Sequence, residues 1–189
     1  SIAPKLNAAG RLADMSLGIK CLISETQDEA LLHAKQLISL NDQRRSIEIG
    51  MLKTALDSVE VNSEINSSIT LFNANWHQGV IGIIASRLKE KYYRPTIIFA
   101  KDDGGLLKGS GRSIPSLHLR DVLDLVSKKY PEIIITFGGH AMAAGLTIRE
   151  VDFNSFSEAF ERTAKKLLSE DDLNLTVEVD NSILDSGLD

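Results

Sequence analysis

The spacing of apolar residues along the chain changes near residue 69. Before it, Leu31, Ala34, Ile38, Met51, Leu52, Ala55 and Leu56 recur at helical spacing. Thr26-Gln27-Asp28-Glu29 precedes that stripe, a threonine followed three positions on by glutamate, which is the signature of a capping box. These residues predict one long helix from about Gln27 to Val59. Its middle, Asn41 to Ser46, is polar, so the helix reads as a connector between two bodies, and Gly50 marks a place where it can break. Ahead of it, residues 1–12 mix Pro4, Asn7 and Gly10 with short apolar residues and read as a loop leading into a helix. Glu60 to Ser68 is a polar link.

After residue 69, short apolar runs alternate with helical patterns. Ile69–Phe72 reads as a buried strand. Val80–Lys91 reads as a helix with Val80, Ile81, Ile84 and Leu88 inward, and Pro95–Ala100 as the next strand. That order predicts a right-handed parallel unit whose C-terminal loops face ligands. Asp102-Asp103-Gly104-Gly105 signals a turn, and Leu106–Arg112 an antiparallel strand. Ser116 is placed to cap a helix over Leu117–Ser127. Ile133–Thr136 and Ala144–Ile148 read as strands. Phe153, Phe156, Phe160 and Leu167 mark an amphipathic helix capped by Asp152. Leu173, Leu175, Val177 and Val179 alternate with polar residues and open another strand. The expected fold is α/β, a mixed sheet with flanking helices. A long connector helix precedes it and the start of a β-rich domain follows. The expected boundaries are 1–62 for the connector segment, 66–169 for the α/β domain and 173–189 for the first strand of a further, truncated domain.

Composition narrows the class. The hydrophobic share of 43% and charged share of 25% are those of a globular protein with an ordinary core. A lone cysteine, Cys21, excludes an internal disulfide and a four-cysteine zinc site, and fits a reducing, cytoplasmic setting. No apolar run reaches membrane-spanning length. Ser1-Ile2-Ala3-Pro4 reads as the middle of a longer chain, with no signal peptide. The net charge of −5 hides an asymmetry: residues 151–189 carry −7, so residues 1–150 carry +2. Within 76–120, eight bases face three acids, a local basic patch that suits a polyanion better than the whole-chain sum implies.

The polar chemistry gathers in four places. Gly138-Gly139-His140 runs into Ala141-Met142-Ala143-Ala144-Gly145, so small residues leave room before a histidine. Exposed N–H groups and an imidazole are natural anion donors, though a tight turn with a packed histidine reads equally well. Lys108-Gly109-Ser110-Gly111-Arg112-Ser113 offers glycine backbone, two hydroxyls and a guanidinium as a phosphate cradle. It lacks P-loop spacing, and a glycine-rich hairpin end with a surface arginine is the plainer alternative. Asn7 and Arg11 bracket Ala8-Ala9-Gly10; Arg11 can fork onto a phosphate, or the small residues can serve helix packing alone. Trp76-His77 sits where a parallel unit places its ligand loop, yet Trp76 can equally be a core anchor and His77 a local cap.

Taken in order, NAAGRL, WHQGVIGIIASRL, RPTIIFA, KGSGRS and GGHAMAAG resemble the RecJ family of single-stranded-DNA-specific 5′→3′ exonucleases, within the DHH phosphoesterase superfamily, over nearly the whole chain. The resemblance implies a connector helix and a DHH-associated domain, then the start of an oligonucleotide-binding-type domain. It implies a two-metal centre of Mn2+ or Mg2+ in a DHH domain absent from this sequence, which has no Asp-His-His triplet. No metal ligand is therefore expected in this chain, and the chain alone should not hydrolyse DNA. By the same resemblance Ser110 and Arg112, in a motif with Ser113, grip a 5′-phosphate with Arg11, and Asn7 orients that arginine. His140, Gly138 and Gly139 face the metals and the scissile phosphate, His140 in a catalytic role, and His77 faces the same cleft. The implied partners are single-stranded DNA, the DHH domain and a single-strand-binding protein. Competing readings are a superfamily phosphodiesterase acting on short oligonucleotides or cyclic dinucleotides, a non-catalytic nucleic-acid-binding module, and an α/β domain with no nucleic-acid role. Aromatics are only 5%, so backbone and end recognition is expected rather than base stacking. The geometric expectation is that Arg11, Ser110, Arg112 and His140 meet at one anion-sized hollow.

Overall fold

The computed structural model describes residues 2–61 and 66–175. Three helices come first: α1 (Ala3–Leu12), α2 (Ser16–Leu22) and α3 (Gln27–Val61). Residues 3–12 are thus helical rather than a loop. Pro4 sits in the first turn, where its missing N–H leaves nothing unpaired, and Ala8 and Ala9 are fully buried as α1 packs on α3. Helix α2, which no apolar period announces, starts where Asp14 accepts the Ser16 N–H at 2.9 Å. Half of the expected capping box forms at α3, with Thr26 Oγ1 accepting the Glu29 N–H at 3.3 Å. The helix runs through Gly50 without a break. Arg44 crosses its polar waist to Glu48 at 2.5 Å and to Asn41 at 3.3 Å, and Met51 and Ala55 beyond Gly50 are pinned in a core.

The rest is a five-stranded mixed sheet with helices on both faces. It comprises β1 (Ile69–Phe72), α4 (Ile81–Tyr92), β2 (Thr96–Lys101), β3 (Leu106–Arg112), α5 (Leu119–Lys129), β4 (Thr136–Gly139), β5 (Ala143–Arg149) and α6 (Phe153–Leu167). The strand order is β1-β2-β3-β5-β4; β1 and β2 are parallel and the other pairs antiparallel. One face carries Ile97, Phe99, Leu107, Ala144, Leu146 and Ile148 into a core shared with α5 and α6. There Phe99 meets Phe156 edge-on with ring centroids 5.4 Å apart, so these phenylalanines build core rather than a stacking platform. The other face places Ile98 and Ala100 under α4, in a second core that includes Trp76 and the C-terminal half of α3.

Four local expectations change. The fourth strand begins at Thr136, three residues later than Ile133, because Ile133 and Ile134 pack against the core from outside the ladder. Helix α5 is capped by His118, whose Nδ1 accepts the Asp121 N–H at 3.3 Å, not by Ser116; residues 114–117 are taken up by a turn. Asp152 does not cap α6; it accepts from Arg149 Nε at 2.5 Å. Leu173 lies in a 3-10 turn (Asp171–Leu173) rather than a strand, and Val177 and Val179 fall outside the described residues.

Candidate nucleic-acid interface

The period of two in β3 decides what KGSGRS does. Gly109 and Gly111 face the α5/α6 core, whereas Ser110 and Arg112 face the opposite side, under α4. A Cβ on Gly109 would lie 2.5 Å from the Phe99 ring and 2.6 Å from Leu146 Cδ2, and one on Gly111 would lie 2.7 Å from Leu119 Cδ2. Both glycines pair with β2 on one edge and β5 on the other. They are seats for core side chains, and their backbone is not the phosphate cradle expected from the sequence. Ser113 is likewise withdrawn: it is fully buried and its hydroxyl donates to the Leu117 carbonyl at 2.7 Å.

What remains is a tighter cation site. Arg112 Nη1 donates to the Gly111 carbonyl at 2.7 Å and to Ser110 Oγ at 3.2 Å. The first turn of α4 lies directly above: a Cβ on Gly82 would sit 3.0 Å from Ser110 Oγ and 3.1 Å from Arg112 Nη2. Arg11, in the last turn of α1, reaches the same corner, and its Nη1 donates to the Gly79 carbonyl at 3.2 Å. Main chain presses on main chain there, since a Cβ on Gly79 would be 1.9 Å from the Arg11 carbonyl oxygen. Burial, with the nearby charge of Arg11 adding to it, holds the Arg112 guanidinium below its ordinary pKa. Both causes disfavour the cation, and among the described residues no carboxylate pairs with either arginine. At the start of α4 the Val80, Ile83 and Ile84 N–H groups are taken by the His77 and Val80 carbonyls, while those of Ile81 and Gly82 have no backbone partner among the described residues and carry the partial positive charge of a helix start. An anion held by both arginines, Ser110 and this turn would relieve all three.

The neighbouring residues fall into place around it. His77 Nδ1 accepts the Gly79 N–H at 3.0 Å and its carbonyl accepts from Val80, so the ring shapes the loop that presents Gly79. Trp76 is a core anchor; its indole N–H donates to Thr54 on α3 at 3.1 Å. Asn7 lies one turn before Arg11 and is exposed, with no hydrogen bond to it among the described residues.

His140 does not join Arg11, Ser110 and Arg112 in one hollow. It is exposed at the end of β4 and donates its N–H to Ala143, which pairs with Arg112. Two strand spacings separate the Cα atoms of His140 and Arg112, about 10 Å. Residues in one lateral row share a face, so the two side chains stand on the same side of the sheet as two stations. Between and beside them runs a bare shelf: Gly138 pairs with Gly145, both exposed, with half-buried Ala143 next to them. A Cβ on Gly138 would meet nothing within 4 Å, so a ligand can approach its main chain closely. Gly139 is different; at φ +147° its Cβ would lie 2.4 Å from the Ala143 carbonyl, so it is required by the hairpin itself. Lys108 flanks the shelf, donating to Thr147 Oγ1 at 3.1 Å. Gly79, Gly82, Gly145 and Lys108 lie inside the quoted motifs but are not among the site residues expected from them. For Lys108 and Gly145 the strand alternation carried the signal.

A DHHA1 domain model matches residues 64–166, more than half of the chain. The chain belongs to the DHHA1 domain family. Ser110, Arg112 and His140 lie inside the matched DHHA1 region; Asn7 and Arg11 precede it. Across a wider span the chain is similar to the single-stranded-DNA-specific exonuclease RecJ of Haemophilus influenzae, 44% identical over 186 residues, 96% of this chain and 32% of that protein. It is 47% identical over 164 residues to RecJ of Salmonella typhimurium, 85% of this chain and 28% of that protein. The chain therefore spans about a third of the length of the curated relatives it matches. RecJ of Thermus thermophilus, crystallised in complex with Mn2+, superposes with a TM-score of 0.74 at 30% identity, over 87% of this chain and 24% of that one. The mixed sheet with flanking helices thus matches the DHHA1 region of RecJ in fold. Among the described residues no group of three or more His, Cys, Asp or Glu could hold a metal ion. No helix of the described residues is long and apolar enough to cross a membrane.

Proposed function

We propose that this chain is the strand-holding part of a single-stranded-DNA-specific 5′→3′ exonuclease. Arg11, Ser110, Arg112 and the first turn of α4 take the terminal 5′-phosphate. The Gly138/Gly145 shelf carries the first nucleotide, and His140 reaches the next phosphate, where an imidazole can steady developing charge. Gly138 serves by leaving the backbone approachable. The observation that carries this reading is that Arg112, held on Ser110 beneath the first turn of α4, and Arg11 near it have no carboxylate partner among the described residues, on the same sheet face as the shelf.

The divalent ions, Mn2+ or Mg2+, would be held by a DHH domain outside this sequence, where they would activate water. This chain alone binds without cutting. The exposed Ile19, Leu22, Ile23, Leu31 and Leu32 on α2 and α3 support a further body packed there. The boundaries 1–62 and 66–169 follow the same reading, with α3 as the connector.

The test is binding of a short oligodeoxythymidylate with and without a 5′-phosphate, followed by fluorescence anisotropy at several salt concentrations. The phosphorylated strand should bind more tightly, and Arg112→Ala should remove that preference and reduce the salt slope by roughly 1. Equal affinity for both strands, unchanged by Arg112→Ala, overturns the assignment. Tighter binding of dinucleotides than of longer strands would move the reading to a phosphodiesterase for short substrates.

A further inference from the structure

We infer that the groove between the C-terminal turns of α5 and α6 is a docking site for an acidic peptide carrying bulky apolar side chains. The groove is about 410 Å³ and is lined by Leu125, Lys128, Lys129, Thr163, Lys166 and Leu167. It lies behind the sheet, on the face opposite Arg112 and the shelf, so it is separate from the strand site.

The lining contains three lysines and no acid. Lys128 touches Asp124 at 2.6 Å, an exposed pair of little strength, and Lys129 lies 5.3 Å from the centre of the Tyr130 ring. Lys166 has no partner among the described residues. Lysines at helix C-termini answer the helix dipole, which accounts for the charge. It does not account for Leu125 and Leu167, left 47% and 51% exposed between those lysines. Apolar floor and cationic rim together match a segment that alternates carboxylates with large apolar groups: the carboxylates meet the rim and the apolar groups cover the leucines.

Nucleic acid fits less well. The lining has no aromatic ring for a base, and the Thr163 hydroxyl is committed to the Ala159 carbonyl at 2.7 Å. A second copy of the chain would bring lysine rim against lysine rim.

The test uses the 189-residue chain and a fluorescein-labelled peptide that alternates Asp or Glu with Leu or Phe. Binding should weaken as salt rises, and a peptide with alanine at the apolar positions should bind roughly tenfold more weakly or worse. Lys128→Glu combined with Lys166→Glu, and separately Leu125→Asp, should each abolish binding, while Arg112→Ala leaves it unchanged. These positions are exposed, so melting curves should stay near wild type and separate lost docking from lost folding. Four results would each overturn the proposal: no binding, binding indifferent to both groove variants, displacement of the peptide by oligodeoxythymidylate, or self-association lost with the groove variants. Because oligonucleotide binding at Arg112 is measured independently, failure here leaves the strand-holding assignment standing.

Discussion

Exchanging two glycines for alanine separates the two faces of β3. Gly109→Ala drives a methyl to 2.5 Å from Phe99 and 2.6 Å from Leu146, and Phe99 is itself wedged against Phe153 and Phe156. Overpacking of this kind costs about 1–3 kcal/mol, against which the smaller backbone entropy loss of alanine returns roughly 0.5–1 kcal/mol. The net cost is about 0–2.5 kcal/mol, so at about 2–4 °C per kcal/mol for a chain of this size the melting temperature should fall by up to about 10 °C. Affinity of the folded protein for a 5′-phosphorylated strand should be unchanged. Gly82→Ala does the reverse. Its new methyl meets only Ser110 Oγ at 3.0 Å and Arg112 Nη2 at 3.1 Å, the ends of side chains that can swing away. Alanine also favours helix over glycine, so stability should hold or rise by up to about 1 kcal/mol. The displaced guanidinium, however, loses a charged hydrogen bond worth about 1.5–3 kcal/mol, roughly a tenfold to hundredfold loss of affinity. Fluorescence of the single tryptophan, Trp76, buried between α3 and α4, reports the melt, and anisotropy of a labelled oligonucleotide reports binding. A Gly109→Ala protein that melts like wild type but no longer prefers a 5′-phosphate would refute the face assignment. So would intact binding by Gly82→Ala.

Other changes probe single contacts. Glu161 accepts from Ser67 N–H at 2.9 Å and from Ser68 N–H and Oγ at 2.8 and 2.6 Å, so Glu161→Gln, which turns one oxygen into a donor, should cost about 1–3 kcal/mol. A urea midpoint that does not move, at constant slope, would show these bonds to be dispensable. His140→Ala removes an exposed side chain and should shift stability by less than about 0.5 kcal/mol while weakening strand binding; paired melting and anisotropy curves decide it. The Ser169 hydroxyl and N–H hold the Asp172 carboxyl below the usual carboxylate range. A depressed carboxylate pKa contributes stability above its unfolded value and loses it as pH falls through the folded one. Ser169→Ala should therefore raise the Asp172 midpoint in a carboxyl NMR titration, with the difference from wild type fading in strong acid. An unmoved midpoint would clear Ser169 of that role.

Much of the architecture was legible because its signals are local. Thr26 and Glu29 mark the start of α3, and Ile69–Phe72, Ile81–Leu88 and Thr96–Ala100 carry clean strand and helix periods. Ile133 and Ile134 misled because apolar residues can pack on a sheet without entering its ladder. The glycines of KGSGRS misled for a tertiary reason. Only the positions of Phe99, Leu146 and Leu119 show that a side chain there has nowhere to go. Ser113 reads as a free hydroxyl until Leu117 folds over it. Arg11 and Arg112 each read as phosphate-competent from the sequence alone. Their approach depends on Gly79, whose need is visible only when α1 and the loop after β1 are seen touching.

That touch sets how the arginine pair responds to mechanics. With no side chain at Gly79 to flex, the seam between α1 and the loop behaves as a hard stop. Sliding α1 along its axis cannot be absorbed locally and changes the gap between two like charges. An anion taken there, as the proposed function has it, would sit between like charges whose spacing this glycine seam sets.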